Sequence, residues 1–231
     1  PALTWEADKT EHTGQLQKTV APACGAKGYD LYKCSNCGET YKKNYVAALA
    51  HTPDASKETV FPAYKQEVCS VCNAKYKIWN DDRLQYIVLP SKGLESITMS
   101  DDATKYPWQW NVRKARFEST NIGQNNTTSE SSMTFTLSQA CYLSFGYGAS
   151  SENKCDMVSI ILQKDGEETE TKIADGISGT GTGKYSEKLE SGTYTLRMKY
   201  VKDAWAGENE DLGYLTNVKL TEKAESAPVN P

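Results

Sequence analysis

The sequence has few of the residues that several function classes require. It contains two histidines and four phenylalanines among 231 residues, and 38% of the residues are apolar, which is low for one large core. Its 26 Lys and Arg are outnumbered by 30 Asp and Glu, whereas a nucleic-acid-binding protein needs a basic surface. No apolar run approaches the roughly 20 residues of a membrane span. We therefore expect neither nucleic acid nor a membrane span for this segment, and we expect it to be part of a longer protein because no leader precedes Pro1.

The first third of the chain contains a degenerate repeat. A Thr-Val-x-Pro-Ala stretch and a later Cys-x-x-Cys pair occur in the same order in both copies. The copies are offset by 40 residues at the first motif (59 − 19) and by 35 at the second (69 − 34), so the second copy has lost five residues between them. Cys24 of the first copy aligns with Tyr64 of the second. Ordered matches of this kind indicate a duplicated supersecondary unit.

The Cys-x-x-Cys pairs predict structural zinc. Two intervening residues let both sulfurs bind one ion from a single tight turn, as in zinc ribbons. A small polar unit of this kind rarely folds without a staple. Disulfides are the alternative in an extracellular setting. However, Cys-x-x-Cys is a strained spacing for a structural disulfide, and an odd number of cysteines, five, precedes residue 80.

The repeat allows two arrangements of zinc ligands. In the favoured one, the three cysteines of the first copy and one of the two histidines form a closed site, which is typical of structural zinc. The second Cys-x-x-Cys pair and the other histidine form a site one ligand short, because Tyr64 replaces the cysteine. In the alternative, both pairs meet at one four-cysteine site and the histidines are free. The candidate ligands are His12, Cys24, Cys34, Cys37, His51, Cys69 and Cys72.

Segments that alternate polar and apolar residues begin after Trp79, where the cysteine pairs stop. Residues 133–137 and 193–200 alternate regularly, and further strands are predicted over 94–99, 142–147, 156–163 and 213–220. Fourteen tyrosines and five tryptophans suit sheets with polar-aromatic surfaces. The sequence therefore predicts an all-β chain: a small zinc-stapled β repeat unit over 1–78, an antiparallel β-sandwich of jelly-roll type over 79–223, and a linker over 224–231.

Three predicted loops of the sandwich, 106–111, 150–156 and 202–211, mix aromatic and polar residues. A tryptophan in a polar loop has no core to fill and indicates a partner. Its flat ring can stack on the apolar face of a sugar, whose hydroxyl groups bind amide and charged side chains. The alternative for Trp108 is that its ring packs beneath the sandwich in a small satellite core and binds no ligand. The candidate ligand-binding residues are Tyr106, Trp108, Gln109, Trp110, Asn111, Lys202, Asp203 and Trp205.

Charged residues of the same loops predict a structural salt-bridge network at one end of the sandwich. Its candidate members are Glu152, Asp156, Lys202 and Asp203. Calcium is the alternative, because it binds hard oxygen ligands, although the spacing differs from that of an EF-hand. The candidate calcium ligands are Asp203, Glu208, Glu210 and Asp211.

The sequence favours a non-catalytic protein. Both histidines belong to the repeat, which leaves none in the sandwich for a Ser-His-Asp or Cys-His site. A glycosidase needs only two carboxylates, which are available, but no motif supports one. Cys141 and Cys155 each begin a predicted strand, so two buried thiols are favoured over a disulfide between them.

The repeat resembles a short module of secreted surface proteins of gut anaerobic Gram-positive bacteria. The resemblance rests on Ala21-Pro-Ala-Cys24, on Gly28 to Tyr41 with its Cys-x-x-Cys-Gly, and on Ala48-Leu-Ala-His51, where the family usually has Gly in place of Ala50. It covers residues 12 to about 77.

The sandwich resembles a jelly-roll module of large secreted bacterial proteins. Residues 143–152, 192–203 and 211–220 carry this resemblance. The pairing of the two modules is similar to that in cell-surface starch-adherence proteins of the ruminococcal amylosome. This resemblance implies an extracellular protein that binds starch or malto-oligosaccharides without cleaving them, next to other domains of a larger surface protein. A protein-interaction or spacer module is the alternative.

Overall fold

The computed structural model describes residues 12–101, 106–205 and 207–224. These residues divide into two compact units. The first comprises the described residues up to 59 together with 66–77, and the second comprises 60–65 and the described residues from 78 onward. Apart from Ala224, the predicted linker lies outside the described residues. Among the residues described, no helix has the length and apolar character needed to cross a membrane.

Each copy of the repeat forms a small three-stranded sheet whose strands lie in chain order. In the first sheet both strand pairs are antiparallel. The boundary between the two units crosses the second sheet. The strands are β1 (Gly14–Val20), β2 (Gly28–Cys34), β3 (Thr40–Val46), β4 (Thr59–Val60), β5 (Tyr64–Val68) and β6 (Lys75–Trp79).

The first unit has almost no apolar core. Among its described residues, Cys34, Val68 and Cys69 are the buried apolar side chains. Leu16 and Leu49 are 52% and 54% exposed. Burial of apolar surface is the main favourable contribution to folding, so this unit needs another source of stability.

The second unit contains two five-stranded sheets with orders β13-β12-β15-β10-β7 and β14-β11-β16-β9-β8. The strand pairs of both sheets are antiparallel, and the chain crosses between the sheets at most connections, as in a jelly roll. The predicted antiparallel β-sandwich is therefore confirmed. The strands are β7 (Leu94–Asp101), β8 (Gln109–Asn111), β9 (Arg116–Glu118), β10 (Thr128–Leu137), β11 (Cys141–Ser150), β12 (Met157–Lys164), β13 (Glu170–Ile177), β14 (Thr182–Leu189), β15 (Gly192–Val201) and β16 (Leu212–Thr221).

Alternation of side chains along the central strands builds the core of the sandwich. In β10, buried and half-buried residues alternate over the full strand, and Phe135 is fully buried. In β15, one face of the alternating segment is confirmed as core, since Tyr194, Leu196, Met198 and Tyr200 are all buried. The two strands pair in unbroken register. Cys141 lies in the same core, whereas Cys155 is only partly buried, unlike the buried thiol predicted there.

Four strands of the sandwich, β8, β9, β13 and β14, were absent from the sequence prediction. Among them, β13 and β14 lie at the edge of a sheet, and at least half of the residues of each are exposed. When both faces of an edge strand are exposed to solvent, its sequence need not alternate polar and apolar residues. A search for that alternation therefore does not detect the strand.

Candidate metal centres and a candidate ligand surface

The two Cys-x-x-Cys turns have the same backbone geometry. The residue after the second cysteine is left-handed in both, with φ of 76° at Gly38 and 59° at Asn73. Its N–H donates to the carbonyl of the first cysteine at 3.0 Å in the first copy and 2.9 Å in the second. Ser35 and Ser70 donate N–H bonds to the carbonyls of Thr13 and Thr52, each of which follows a histidine. The turn thus aims both sulfurs at one point and brings the preceding histidine to it.

The backbone of these turns favours thiolates at the first cysteine. The pKa of Cys34 is lowered to about 6, first by a backbone hydrogen bond from Cys37 and then by His12. The pKa of Cys69 is lowered to about 5, with the backbone N–H of Cys72 as the largest cause. Thiolate is the form that binds a metal.

One complete set of four potential ligands forms around the Cys-x-x-Cys turn of the second copy: Cys24, His51, Cys69 and Cys72. Their ligand atoms lie within 4.8 Å of one another. The Cys24 and Cys69 sulfurs are 3.9 Å apart, and Cys72 Sγ is 3.4 Å from His51 Nδ1. Tetrahedral zinc with bonds of about 2.3 Å to sulfur and 2.0–2.1 Å to nitrogen would set these distances near roughly 3.8 and 3.6 Å. The residues therefore fit a Cys₃His zinc site.

Cys24 reaches this set through backbone pairing with the segment before His51. The N–H of Gly25 donates to the Leu49 carbonyl at 3.2 Å, and the N–H of Leu49 donates to the Ala23 carbonyl at 3.0 Å. The Cys24 thiol lies 3.9 Å from the Ala50 carbonyl. Burial, followed by hydrogen bonding to Cys69, raises its pKa to about 11.

The other centre has three ligands among the described residues: His12, Cys34 and Cys37. Cys37 Sγ lies 3.7 Å from His12 Nδ1, and both side chains are exposed. In each centre the histidine ring stacks on a tyrosine that follows the Cys-x-x-Cys pair. The ring centroids are 5.4 Å apart for His12 and Tyr41 and 5.0 Å apart for His51 and Tyr76.

The favoured grouping of ligands was wrong. Cys24 does not join Cys34 and Cys37 but belongs to the centre of the second copy, and the two Cys-x-x-Cys pairs do not meet. The complete centre therefore contains ligands from both copies, while the three-ligand centre is in the first. Sequence spacing missed this because the pairing of Cys24 with Leu49 is a tertiary contact.

Trp108 lies inside the sandwich, and its predicted ligand-binding role is wrong. Its side chain is fully buried and its ring nitrogen donates to the Ser129 carbonyl at 3.3 Å. Gly213 makes room for it, since a Cβ there would lie 3.2 Å from the Trp108 ring and 2.4 Å from Val158. A large ring without an accessible face cannot stack on a sugar. The satellite-core alternative describes it better.

A stack of three aromatic rings leads from the core to the surface near β8. Phe117 is buried and meets Trp110 edge-on, with centroids 5.0 Å apart. Trp110 is half-buried and stacks on Tyr86, with centroids 4.5 Å apart and an interplanar angle of 8°. Tyr86 is 36% exposed. Sequence reasoning missed Tyr86, because it lies between the repeat and the first predicted strand of the sandwich, where no motif singles it out.

Arg83 holds this stack in place. It shares the 3₁₀ helix Asp82–Tyr86 with Tyr86. Its guanidinium binds Asp81 at 2.7 Å and Asp101 at 2.6 Å, and it donates to the Trp108 carbonyl at 2.9 Å. The carboxylates, Asp81 first, raise the pKa of Arg83, and the guanidinium lowers the pKa of Asp81. A half-buried Arg with several fixed partners makes a rigid support for an exposed ring.

A cleft of about 460 Å³ opens beside the stack. Its lining combines the two rings with carboxylate, guanidinium and amide groups. The lining residues are Asp82, Arg83, Gln85, Tyr86, Asp101, Pro107, Gln109 and Trp110. A second cleft of about 410 Å³ shares Gln109 and Trp110, so the β8 edge separates two open surfaces.

Other predicted residues of this loop differ in their availability. Gln109 is exposed, as a ligand-binding residue requires. Asn111 is committed to its own hairpin, since its amide donates to Glu118 at 2.8 Å and its oxygen accepts from the Arg113 backbone at 3.0 Å. Tyr106 is half-buried, with its hydroxyl 3.5 Å from Gln124 Oε1.

Lys202 is a structural residue, and its predicted ligand-binding role is wrong. Its side chain is fully buried and binds Asp211 together with Asp156, the latter at 3.3 Å. The Tyr200 hydroxyl donates to Asp211 at 3.2 Å, and burial raises the pKa of that hydroxyl. This network confirms the predicted role of Asp156 and Lys202.

The four acids proposed for calcium do not come together as a group of three or more potential ligands among the described residues. Asp211 is paired with Lys202, and Glu210 is paired with Lys114 and Arg116. The one grouping of metal-ligand type among the described sandwich residues is Glu152, Cys155 and Asp203, which contains a thiol and shares only Asp203 with the predicted set.

Trp205 is 73% exposed on the loop after β15. Its backbone N–H donates to the Asp203 carboxylate at 2.8 Å. Glu210, on the same loop, binds Lys114 at 2.5 Å in the β8–β9 hairpin. The structure thus joins the loop of Trp205 to the hairpin that follows Trp110.

No family model and no curated protein matches this sequence. Among solved structures, it is similar to a secreted serine protease, VesC, from Vibrio cholerae, with 11% identity and a TM-score of 0.39 over 84% of this chain and 33% of the protease. It thus spans about a third of that protein. It is also similar to carbohydrate-binding modules of the β-sandwich superfamily (8% identity, TM-score 0.32, 91% of this chain and 100% of that chain). A third is an exo-β-1,3-galactanase from Phanerochaete chrysosporium with galactose (9% identity, TM-score 0.24, 87% and 44%).

Replacing Lys202 by Met should destabilise the sandwich by about 3–5 kcal/mol, because it leaves two buried carboxylates without their cation. Chemical denaturation followed by tryptophan fluorescence measures the change. Lys199→Met is the control: its ammonium is 3.8 Å from Glu130 and 46% of its side chain is exposed, so a loss below about 1 kcal/mol is expected. Equal losses in the two variants would contradict the structural role of Lys202.

Proposed function

We propose that this chain is a non-catalytic carbohydrate-binding protein whose ligand stacks on the Tyr86–Trp110 pair. The observation that carries the proposal is this nearly parallel ring pair, 4.5 Å between centroids, at the wall of an open cleft. Phe117 supports the pair from the core, and Arg83 fixes the segment that bears Tyr86. A preorganised ring loses little conformational entropy on binding.

The polar lining of the cleft supports the same ligand class. Gln85 and Gln109 offer amide groups, and Asp82 offers a carboxylate, all beside the aromatic rings. Sugar rings present an apolar C–H face together with a border of hydroxyl groups, which need this combination of neighbours. A pocket of a few hundred Å³ with a few placed polar groups is typical of small-ligand sites.

Within this class we propose α-glucans, either starch or malto-oligosaccharides, as the ligand. The proposal rests on the sequence resemblance of the paired modules to starch-adherence proteins. The same resemblance supports an extracellular location, at the cell surface or secreted, as part of a larger surface protein.

We propose that the first unit is a scaffold that zinc stabilises. The Cys24–His51–Cys69–Cys72 set has the donors and distances of a closed zinc site, and such a site has no open position for a reaction. Because few apolar side chains are buried in this unit, bound zinc would supply stability that apolar packing does not. Zinc there would hold together segments that apolar packing does not.

A protein-interaction or spacer module is the second candidate. Trp205 favours it, because a side chain that is 73% exposed on a loop can also anchor a protein partner. In that case Trp205, and not Tyr86, would dominate binding.

Tyr86→Ala should weaken binding of maltoheptaose about fivefold, because one stacking ring contributes on the order of 1 kcal/mol beyond its buried area. Gln109→Ala should weaken it as well. Titration with maltoheptaose, followed by tryptophan fluorescence and calorimetry, measures the affinities. Tyr45→Ala is the control, since Tyr45 is 62% exposed in the first unit.

Two results would reject parts of this proposal. Binding of no α-glucan by the unmodified chain, while another glycan binds with the same dependence on Tyr86, would reject starch but keep the site. Binding that depends on Trp205 and not on Tyr86 would reject the site.

Chelation of zinc should unfold the first unit and leave the sandwich intact, because the buried apolar cluster of the sandwich contains no residue of the first unit. Elemental analysis gives the zinc content, and limited proteolysis followed by mass spectrometry locates the new cleavages, expected before residue 78. Cys72→Ser should reproduce the effect, whereas Cys155→Ser, outside both Cys/His centres, should not. Protein that contains no zinc and resists proteolysis in both units would reject the zinc scaffold.

A further inference from the structure

The cysteine-bearing turn of the first copy belongs to the centre of the second copy. The Ala23–Gly25 turn pairs with Leu49, and its cysteine completes the set around His51. Each Cys-x-x-Cys pair, in contrast, is grouped with the histidine that precedes it in its own copy. A copy therefore holds three ligands of its own and donates its fourth to the next copy along the chain.

The corresponding turn of the second copy likewise packs with residues that follow it in the chain. Residues 60–65 belong to the second compact unit and not to the first. Tyr64, which occupies the position of Cys24, stacks on Phe61 with centroids 4.7 Å apart and contacts Trp79 at a tilt of 55° with centroids 4.8 Å apart. Asn80 donates its backbone N–H to the Ala63 carbonyl at 2.9 Å, and Ala63 is 1% exposed. An aromatic contact thus replaces the metal ligand where the turn packs in the sandwich unit.

Among the described residues, the same rule leaves one acceptor centre without its donor. His12, Cys34 and Cys37 form the three-ligand set of the first copy, and its His12 and Cys37 are exposed. The two Cys-x-x-Cys turns are alike in backbone hydrogen bonds and in histidine–tyrosine stacking. The centres therefore differ chiefly in the fourth ligand, which no described residue supplies to the first copy.

We propose that the His12–Cys34–Cys37 centre is a docking site for a cysteine-bearing turn of another repeat, which supplies the fourth ligand of a shared zinc ion. The proposal rests on the zinc scaffold proposed above. Zinc on three protein ligands keeps an open position that holds water. On docking, the cysteine of the incoming turn loses its proton to solvent, a Zn–S bond forms, and the bound water leaves. Repeats of this kind are thus joined in one direction through the metal.

The test uses the full chain loaded with ¹¹³Cd²⁺, which replaces zinc and whose NMR shift moves downfield with each thiolate ligand. Two resonances are expected, one from the three-thiolate centre and one, further upfield, from the two-thiolate centre. The probe is a synthetic peptide of residues 17–28, which carries the turn of Cys24. Adding it should move the upfield resonance into the range of the other with a stoichiometry of one peptide per chain. The control peptide has Cys24→Ser.

A shift of the upfield resonance by the cysteine peptide alone supports the proposal. An upfield resonance that neither peptide moves, or both peptides move equally, overturns it and leaves the closed zinc centre standing. A single resonance, from the three-thiolate centre, also overturns it. Absence of bound cadmium at both centres overturns this inference together with the zinc scaffold. Cys37→Ser in the full chain assigns the upfield resonance, which should then be lost while the other remains.

Discussion

Apolar burial is divided unequally between the two units of this chain, and most other features depend on that division. The sandwich buries rows of alternating side chains between two sheets, with Leu196 and Phe135 fully inaccessible. The repeat unit buries little apolar surface besides two cysteines and Val68. Because the entropy cost of ordering a chain is similar per residue everywhere, the repeat unit needs a source of stability that the sandwich does not. Its two Cys/His centres are suited to provide it.

Ion pairs in the sandwich fix the segments that carry polar and aromatic groups at its surface. Lys202 is fully buried between carboxylates, so the loop that follows β15 starts from a fixed point. Arg83 likewise fixes the short helix that bears Tyr86. Trp108 and Trp110 are two residues apart on an extended segment, yet one is a core residue and the other belongs to an exposed stack. Core packing and the proposed ligand surface therefore use residues only two positions apart on the same segment.

Much of the fold could be predicted from residue patterns. The alternation in β10 and β15 identified the strands and their inward faces, because a side-chain period of two follows directly from strand geometry. The edge strands β13 and β14 could not be found in this way, since neither face is fully covered. The metal ligands were recognisable because Cys-x-x-Cys is a local geometry that a single turn produces.

The sequence by itself determined the all-β fold, the seven Cys and His residues of the candidate metal centres and the aromatic segment around Trp110. Only the tertiary structure decided which of these residues meet. Cys24 pairs with Leu49 and so joins the second copy, and Tyr86 reaches Trp110 from a segment that no pattern singled out. The physical reason is that composition and spacing encode local geometry, whereas a binding site depends on backbone pairing and packing between segments distant in sequence.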